Sequence, residues 1–230
     1  MRKLEYYEPK FFEFYNARIS FIEENCLKTI EGLILSCCCL DSLAGYCFGG
    51  KSSLDRFQRL IYEYSGNAEY WHRISLPLLK EHYNKNGKTK YSDLMRKFGV
   101  SEDNYLQIGY NVDISPDKIE VKAKNYNCVV LPFSEATRKE ITDFGYSRVF
   151  WNNYRHAAIH EFLKYHDGPP HLFEEKNEVV YSHESVFDKS GNRIIESKIN
   201  ICFPIKFILK TLKDCLSNFK LELEKEKKTL

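Results

Sequence analysis

Apolar residues recur at steps of three and four over most of the chain, which is the signature of amphipathic helices. Residues from about Pro9 to Phe48 read as one or two helices. Pro9 suits a first turn, and Ile30, Leu33, Cys37, Leu40, Ala44 and Phe48 form one continuous stripe that Gly49-Gly50 ends. Ser52 or Ser53 can cap the next helix, whose buried face is Leu54, Phe57, Leu60, Ile61 and Tyr64. Shorter helical pieces follow at Leu76 to Tyr83 and Tyr91 to Phe98, with the polar loop Asn84 to Lys88 between them. The period then changes. Leu106, Ile108, Tyr110, Val112 and Ile114 alternate, Ser115-Pro116-Asp117 turns the chain, and Ile119, Val121 and Ala123 alternate again, which predicts a β-hairpin that Cys128 to Leu131 extends.

A long helix is predicted from Ser134, its cap, to about His166, where Asp167-Gly168-Pro169-Pro170 stops it. Tyr146, Val149, Phe150, Asn153, Ala157, His160, Phe162 and Leu163 repeat along it at helical spacing. A second hairpin is predicted from Val179-Val180-Tyr181 and Val186-Phe187, a turn at Asp188 to Asn192, and Ile194-Ile195 with Ile199 to Ile201. Pro204 opens a final helix with Ile205, Ile208, Leu209, Leu212, Cys215, Leu216 and Phe219 inward, and Glu222 to Lys228 reads as a solvated charged tail. No internal repeat, low-complexity linker or boundary interrupts the pattern. The expectation is a single domain over 1–230, mainly α, with hairpin inserts at about 105–131 and 178–201, so α+β overall.

Composition narrows the function classes. With 230 residues and 43% hydrophobic content the chain can bury a substantial core. A net charge of +2 excludes a strongly basic nucleic-acid coat protein, though not an enzyme with a local basic cleft. The chain has eight cysteines, but Cys37, Cys38 and Cys39 are consecutive within a helical stripe, no C-x-x-C pair exists, and no signal peptide precedes them. They read as reduced, buried thiols of a cytoplasmic protein. The longest apolar run, Gly32 to Leu40, is too short to span a bilayer, so no membrane is expected as a partner.

Three motifs compete for the chemistry. Gly45-Tyr46-Cys47-Phe48-Gly49-Gly50-Lys51-Ser52 fits the phosphate-binding loop G-x-x-x-x-G-K-[ST], but that loop needs a strand before it, and here a helical stripe runs into it. A helix over Ser36 to Ala44 would exclude it. His156 and His160 stand one turn apart, with Glu161, His166, Asp167 and His171 following, a spacing that can hold zinc, although Arg155 beside them repels a cation. The third motif is Arg155-x4-His160. It drops a guanidinium and two imidazoles, preceded by the amides of Asn152 and Asn153, into an otherwise apolar helix, where polar groups are costly unless paired. Five residues apart, Arg155 and His160 point roughly 140° away from each other. A second copy of the helix across a two-fold axis would bring one chain's Arg to the other's His. Trp151 and Tyr154 beside them are either core aromatics or stacking platforms for an unpaired base.

Arg155-His156-Ala157-Ala158-Ile159-His160 resembles the Rx4-6H motif of the HEPN superfamily, in which a polar residue commonly follows the Arg. Leu40-Asp41-Ser42-Leu43-Ala44-Gly45-Tyr46 and Leu54-Asp55-Arg56-Phe57 resemble the second and third helices of small bacterial HEPN-like proteins. The order of elements is similar over most of the chain, and the hairpin insert at 105–131 departs from a minimal HEPN bundle. The resemblance implies an HEPN-like helical bundle with two β-hairpin insertions. It implies a metal-independent endoribonuclease, without cofactor, that works as a homodimer through the motif helix, in a defence or toxin setting with an antitoxin or effector partner. RNA would be cleaved by attack of a 2′-hydroxyl on its neighbouring phosphate. His160 would be the general acid or base and Arg155 the stabiliser of phosphorane charge. His156 would position phosphate or assist proton transfer, and Asn152, Asn153 and Tyr154 would contact substrate. The rivals are a non-catalytic HEPN-type module that binds RNA, nucleotide or protein, a phosphate-loop nucleotide binder, and a metal-dependent hydrolase.

Overall fold

The computed structural model describes residues 8–50, 52–100, 115–126, 129, 131–155, 176–187 and 194–228. Four helices open the chain: α1 (Glu8–Asn25), α2 (Ile30–Cys47), α3 (Ser53–Tyr64) and the short α4 (Ala68–Trp71). Then come α5 (Leu76–Lys85), α6 (Thr89–Lys97), α7 (Pro116–Ala123), α8 (Glu135–Thr142) and α9 (Tyr146–Phe150), which runs into a π-helical turn at Trp151–Arg155. An antiparallel pair, β1 (Val180–Phe187) and β2 (Ile194–Cys202), precedes the closing helix α10 (Ile205–Lys228). The described residues are therefore mainly helical, as the pattern of apolar positions predicts, and hold one two-stranded sheet where two hairpins are expected.

The first helices follow their stripes. Leu33, Cys37, Leu40, Leu43 and Ala44 of α2 are fully buried, and α2 packs on α1, α3 and α10. Gly32 allows this entry: a Cβ there would overlap the Cys26 carbonyl oxygen, so no side chain fits. By length and composition α2 is apolar enough to cross a membrane, with mean hydropathy 1.4, longer than the Gly32 to Leu40 run alone suggests. Its burial against three helices is that of a core helix. Because α2 is helical from Ile30 to Cys47, the phosphate-loop reading falls: Gly45 lies within the helix, and helix occupies the place of the strand that such a loop follows. Ser52 instead caps α3, its Oγ accepting from Asp55 N at 3.2 Å.

Apolar side chains gather in two clusters. One joins α1 to α4, α9, the strand residues Tyr181 and Ile201, and α10. The other is built by Ile74, Leu76, Leu79, Tyr83, Leu94, Met95, Phe98, Ile119, Ala123, Phe133 and Ile141, mostly from α5 to α8. The chain enters and leaves this second unit through one antiparallel bridge, Ile74 to Gly145, in which Ser75 N donates to Phe144 O and Tyr146 N to Arg73 O, each at 2.9 Å. Tyr181 also donates its hydroxyl to Ser75 Oγ at 2.7 Å, tying β1 to that junction. Residues 75–144 are thus an excursion with its own core, pinned at its base immediately before the segment that carries Arg155.

Three sequence expectations need correction. The hairpin at 105–131 fails where it can be seen: Pro116 to Ala123 is helical, Ile119 and Ala123 are buried one turn apart, and Val121 between them is 62% exposed. The alternation was an i, i+4 pair with an exposed valine between. Residues 101–114 lie outside the described residues. Over its described part, up to Arg155, the long helix expected from Ser134 is broken into two helices and a π turn. Ser134 does cap the first, accepting from Thr137 N at 3.1 Å, but Phe144 gives its carbonyl to the bridge and Gly145 takes the extended cap conformation of α9. The charged segment Glu222 to Lys228 is solvated as expected, with Glu222 and Glu224 to Glu226 exposed, but it continues α10 to Lys228 with Leu223 buried. The second hairpin forms with Val180 opposite Cys202 and a bulge between Val186 and Phe187, while its turn at 188–193 lies outside the described residues.

A charged clamp closes the excursion. Lys88 Nζ donates to both Glu140 oxygens at 2.7 Å, and His82 Nε2 lies 2.9 Å from Glu140 Oε1. Partial burial pushes the Glu140 carboxyl up, but hydrogen bonds and charge from Lys88 and His82 outweigh it and hold the group below the ordinary glutamate range. A depressed folded pKa contributes stability above the ordinary glutamate value that is lost as pH falls through the lowered one. Glu140→Gln is therefore expected to flatten the acid limb of stability against pH, followed by chemical denaturation; an unchanged limb would remove the clamp from the account.

Candidate functional site

The segment that leads to Arg155 is held by aromatic packing. Tyr146, Val149 and Phe150 are buried, Phe150 stacks on Phe57 with centroids 5.5 Å apart, and it meets Trp71 edge-on at 5.8 Å. Ser147 Oγ accepts from Gln58 Nε2 at 3.1 Å and shares a 2.6 Å hydrogen bond with Tyr62 Oη, fixing α9 to α3. The backbone then widens into the π turn at Trp151–Arg155. Such a turn carries more residues than an α turn and re-aims the side chains after it, a feature frequent at functional sites.

Within the turn the side chains sort sharply. Tyr154 is buried, stacks on Phe150, meets Phe203 at 5.2 Å and donates its hydroxyl to Ile201 O at 2.6 Å. Its expected place as a substrate contact is therefore corrected: it is a core residue that bonds the sheet. Trp151 is likewise buried and packs on Phe57 at 5.2 Å. Asn152 and Asn153 are exposed, as a substrate contact requires.

Arg155 lies with its guanidinium 4.3 Å over the Trp151 ring and its Nη2 donating to Asp41 Oδ2 at 2.6 Å. The arginine side chain is 14% exposed and the aspartate 25%. The pair is incompletely satisfied: Arg155 Nε and Asp41 Oδ1 are buried without a hydrogen-bond partner among the described residues. Asp41 is the site residue that the motif reading passed over. Its signal was its solitude, since Glu31 and Asp41 are the only charged residues of α2, and a carboxylate between Leu40 and Leu43 requires a cation.

The neighbouring thiols are shifted toward the protonated form. Cys37, one turn before Asp41, is buried, and desolvation holds its thiol far above the ordinary range despite the Arg155 charge. Burial raises Cys38 as well, helped by the Asp41 charge. All seven described cysteines are free.

His156, His160, Glu161, His166, Asp167 and His171 lie outside the described residues, and with them both the second half of the R-x4-H motif and the zinc spacing. Among the described residues no cluster of histidine, cysteine and carboxylate side chains is suited to a metal ion. No family model, curated protein or solved structure matches the chain. Chemically, the described part of the site offers one guanidinium, preoriented on an aromatic face and held from one side by a carboxylate, with two exposed amides on the same turn. An anion that approaches this guanidinium competes with Asp41 for it.

Proposed function

We propose that the chain is a metal-independent endoribonuclease of HEPN type, acting on RNA as a homodimer. Arg155 stabilises phosphorane charge, His160 moves the proton of the 2′-hydroxyl or the leaving oxygen, and His156 and the Asn152-Asn153 pair orient the scissile phosphate. The observation that carries the reading is Arg155. It is not left to solvent but positioned at the end of a π turn, on an aromatic platform, by a single carboxylate. The R-x4-H resemblance supplies the reaction class, the cytoplasmic defence or toxin setting and a regulatory antitoxin or effector partner.

One observation favours a second reading. Arg155 is largely enclosed and its charge already answered by Asp41, which is also how an interhelical ion pair of a non-catalytic HEPN-type module would look. The two readings separate on a mixed RNA pool in EDTA, with cleavage and binding followed side by side. The enzyme reading expects cleavage by the wild type that is lost in Arg155→Ala/His160→Ala. Binding without cleavage by the wild type would instead establish the module.

A further inference from the structure

Several cations of the excursion are answered by carboxylates. Lys88 serves Glu140, Arg96 pairs with Asp93, Lys118 with Glu69 and Arg138 with Glu120. Lys90, Lys97 and Lys122 are exposed and form no ion pair with a described residue. Two of these three are seated on aromatic rings instead. Lys97 Nζ lies 5.2 Å from the centroid of the Tyr126 ring and Lys122 Nζ 5.6 Å from that of Phe98, and the two rings are 6.1 Å apart. A lysine held on a ring keeps its full charge and its three N–H donors. The Tyr126 hydroxyl donates to Lys97 O at 3.4 Å, which joins the end of α6 to the turn after α7.

We infer that this face of α6 and α7 is a track for the backbone of single-stranded RNA, with Lys90, Lys97, Lys118 and Lys122 as its phosphate contacts. Lys90 and Lys97 are seven residues apart on one flank of α6, and Lys118 and Lys122 four apart on one flank of α7, so each pair stacks along its helix. Phe98 and Tyr126 join the two flanks. The Lys118 pair with Glu69 is exposed on both sides and yields readily to a phosphate. It also places the track: Lys118 Nζ meets Glu69 of α4 at 2.9 Å, and Trp71 at the end of α4 meets Phe150, five residues before Arg155. The track rests on the proposed ribonuclease reading for the identity of its polyanion. A lipid surface fits it less well, because such a surface asks for a broad apolar face and α7 exposes a single valine, Val121, beside these lysines.

The test is binding of a short fluorescent 2′-O-methyl oligouridine to the full-length protein, followed by anisotropy from ~50 to ~200 mM salt. The methyl group blocks the attacking oxygen, so binding is read without cleavage. The wild type is expected to bind. Lys90→Gln/Lys97→Gln/Lys122→Gln is expected to bind more weakly, with the slope of log affinity against log salt smaller by about 2, since each phosphate contact of a single strand contributes about 0.7. Lys90→Gln/Lys97→Gln, which leaves α7 untouched, is expected to lower the slope by about 1.4. Lys10→Gln/Lys28→Gln/Lys220→Gln removes the same charge from exposed positions on α1, the link after it and α10, and is expected to bind as the wild type does. A wild type that does not bind, a track variant with the wild-type slope, or equal weakening by the control would overturn the track, as would lysine-dependent binding to phosphatidylserine vesicles but not to oligouridine. Lysine-dependent binding by a wild type that leaves the RNA pool uncleaved would support the track and remove the enzyme reading; cleavage with binding indifferent to these lysines would do the reverse.

Discussion

Trp71→Ala is expected to cost about 3–5 kcal/mol of folding free energy, enough to consume much of the stability of a chain this size. Trp71 is 1% exposed and sits where four aromatic rings converge. Phe203 stacks on it at 5.8 Å, Phe207 lies at 5.1 Å, Phe150 at 5.8 Å and Phe57 at 6.4 Å. These rings come from α3, α9, the link after β2 and the first turn of α10, so the cavity would open at the junction that holds the Arg155 segment. Urea unfolding followed by circular dichroism checks the value. A loss under about 1 kcal/mol would mean that the neighbours collapse into the space or that this cluster does not organise the core.

Asp41→Ala is expected to cost about 2 kcal/mol, because it strands the Arg155 charge in a largely enclosed position. The partial exposure of both side chains keeps the cost below that of a fully buried pair. The double variant Asp41→Leu/Arg155→Met should recover most of the loss, since an apolar pair of similar volume removes the uncompensated charge. A double-variant cycle measured by denaturation checks the coupling. If the single and double variants are equally unstable, the loss comes from packing and not from the ion pair.

What could be read from the sequence was what local periodicity encodes. α2, α3 and α10 each carry one unbroken apolar stripe, and each forms where the stripe lies. The π turn, the break before α9 and the pairing of Arg155 were not legible, because their causes are tertiary. Helix α8 ends because the carbonyl of Phe144 serves Ser75, far away in sequence. Tyr154 turns inward because the Ile201 carbonyl is there to accept its hydroxyl. Ile119, Val121 and Ala123 satisfy a strand period and a helix period at once, and only the exposure of Val121 decides between them. Asp41 and Arg155 lie 114 positions apart, and their meeting is visible beforehand only as two unanswered charges in two apolar segments.

The central claim is that Arg155 stabilises the charge of RNA cleavage. Its most direct measurement is the rate at which cyclic-phosphate ends form on a defined RNA in EDTA, for the wild type and for an Arg155→Ala protein shown by circular dichroism to be folded. The account predicts cyclic-phosphate ends from the wild type and a rate lower by about 10²–10³-fold in the variant. Equal rates, or no cyclic-phosphate product from the wild type, would contradict it.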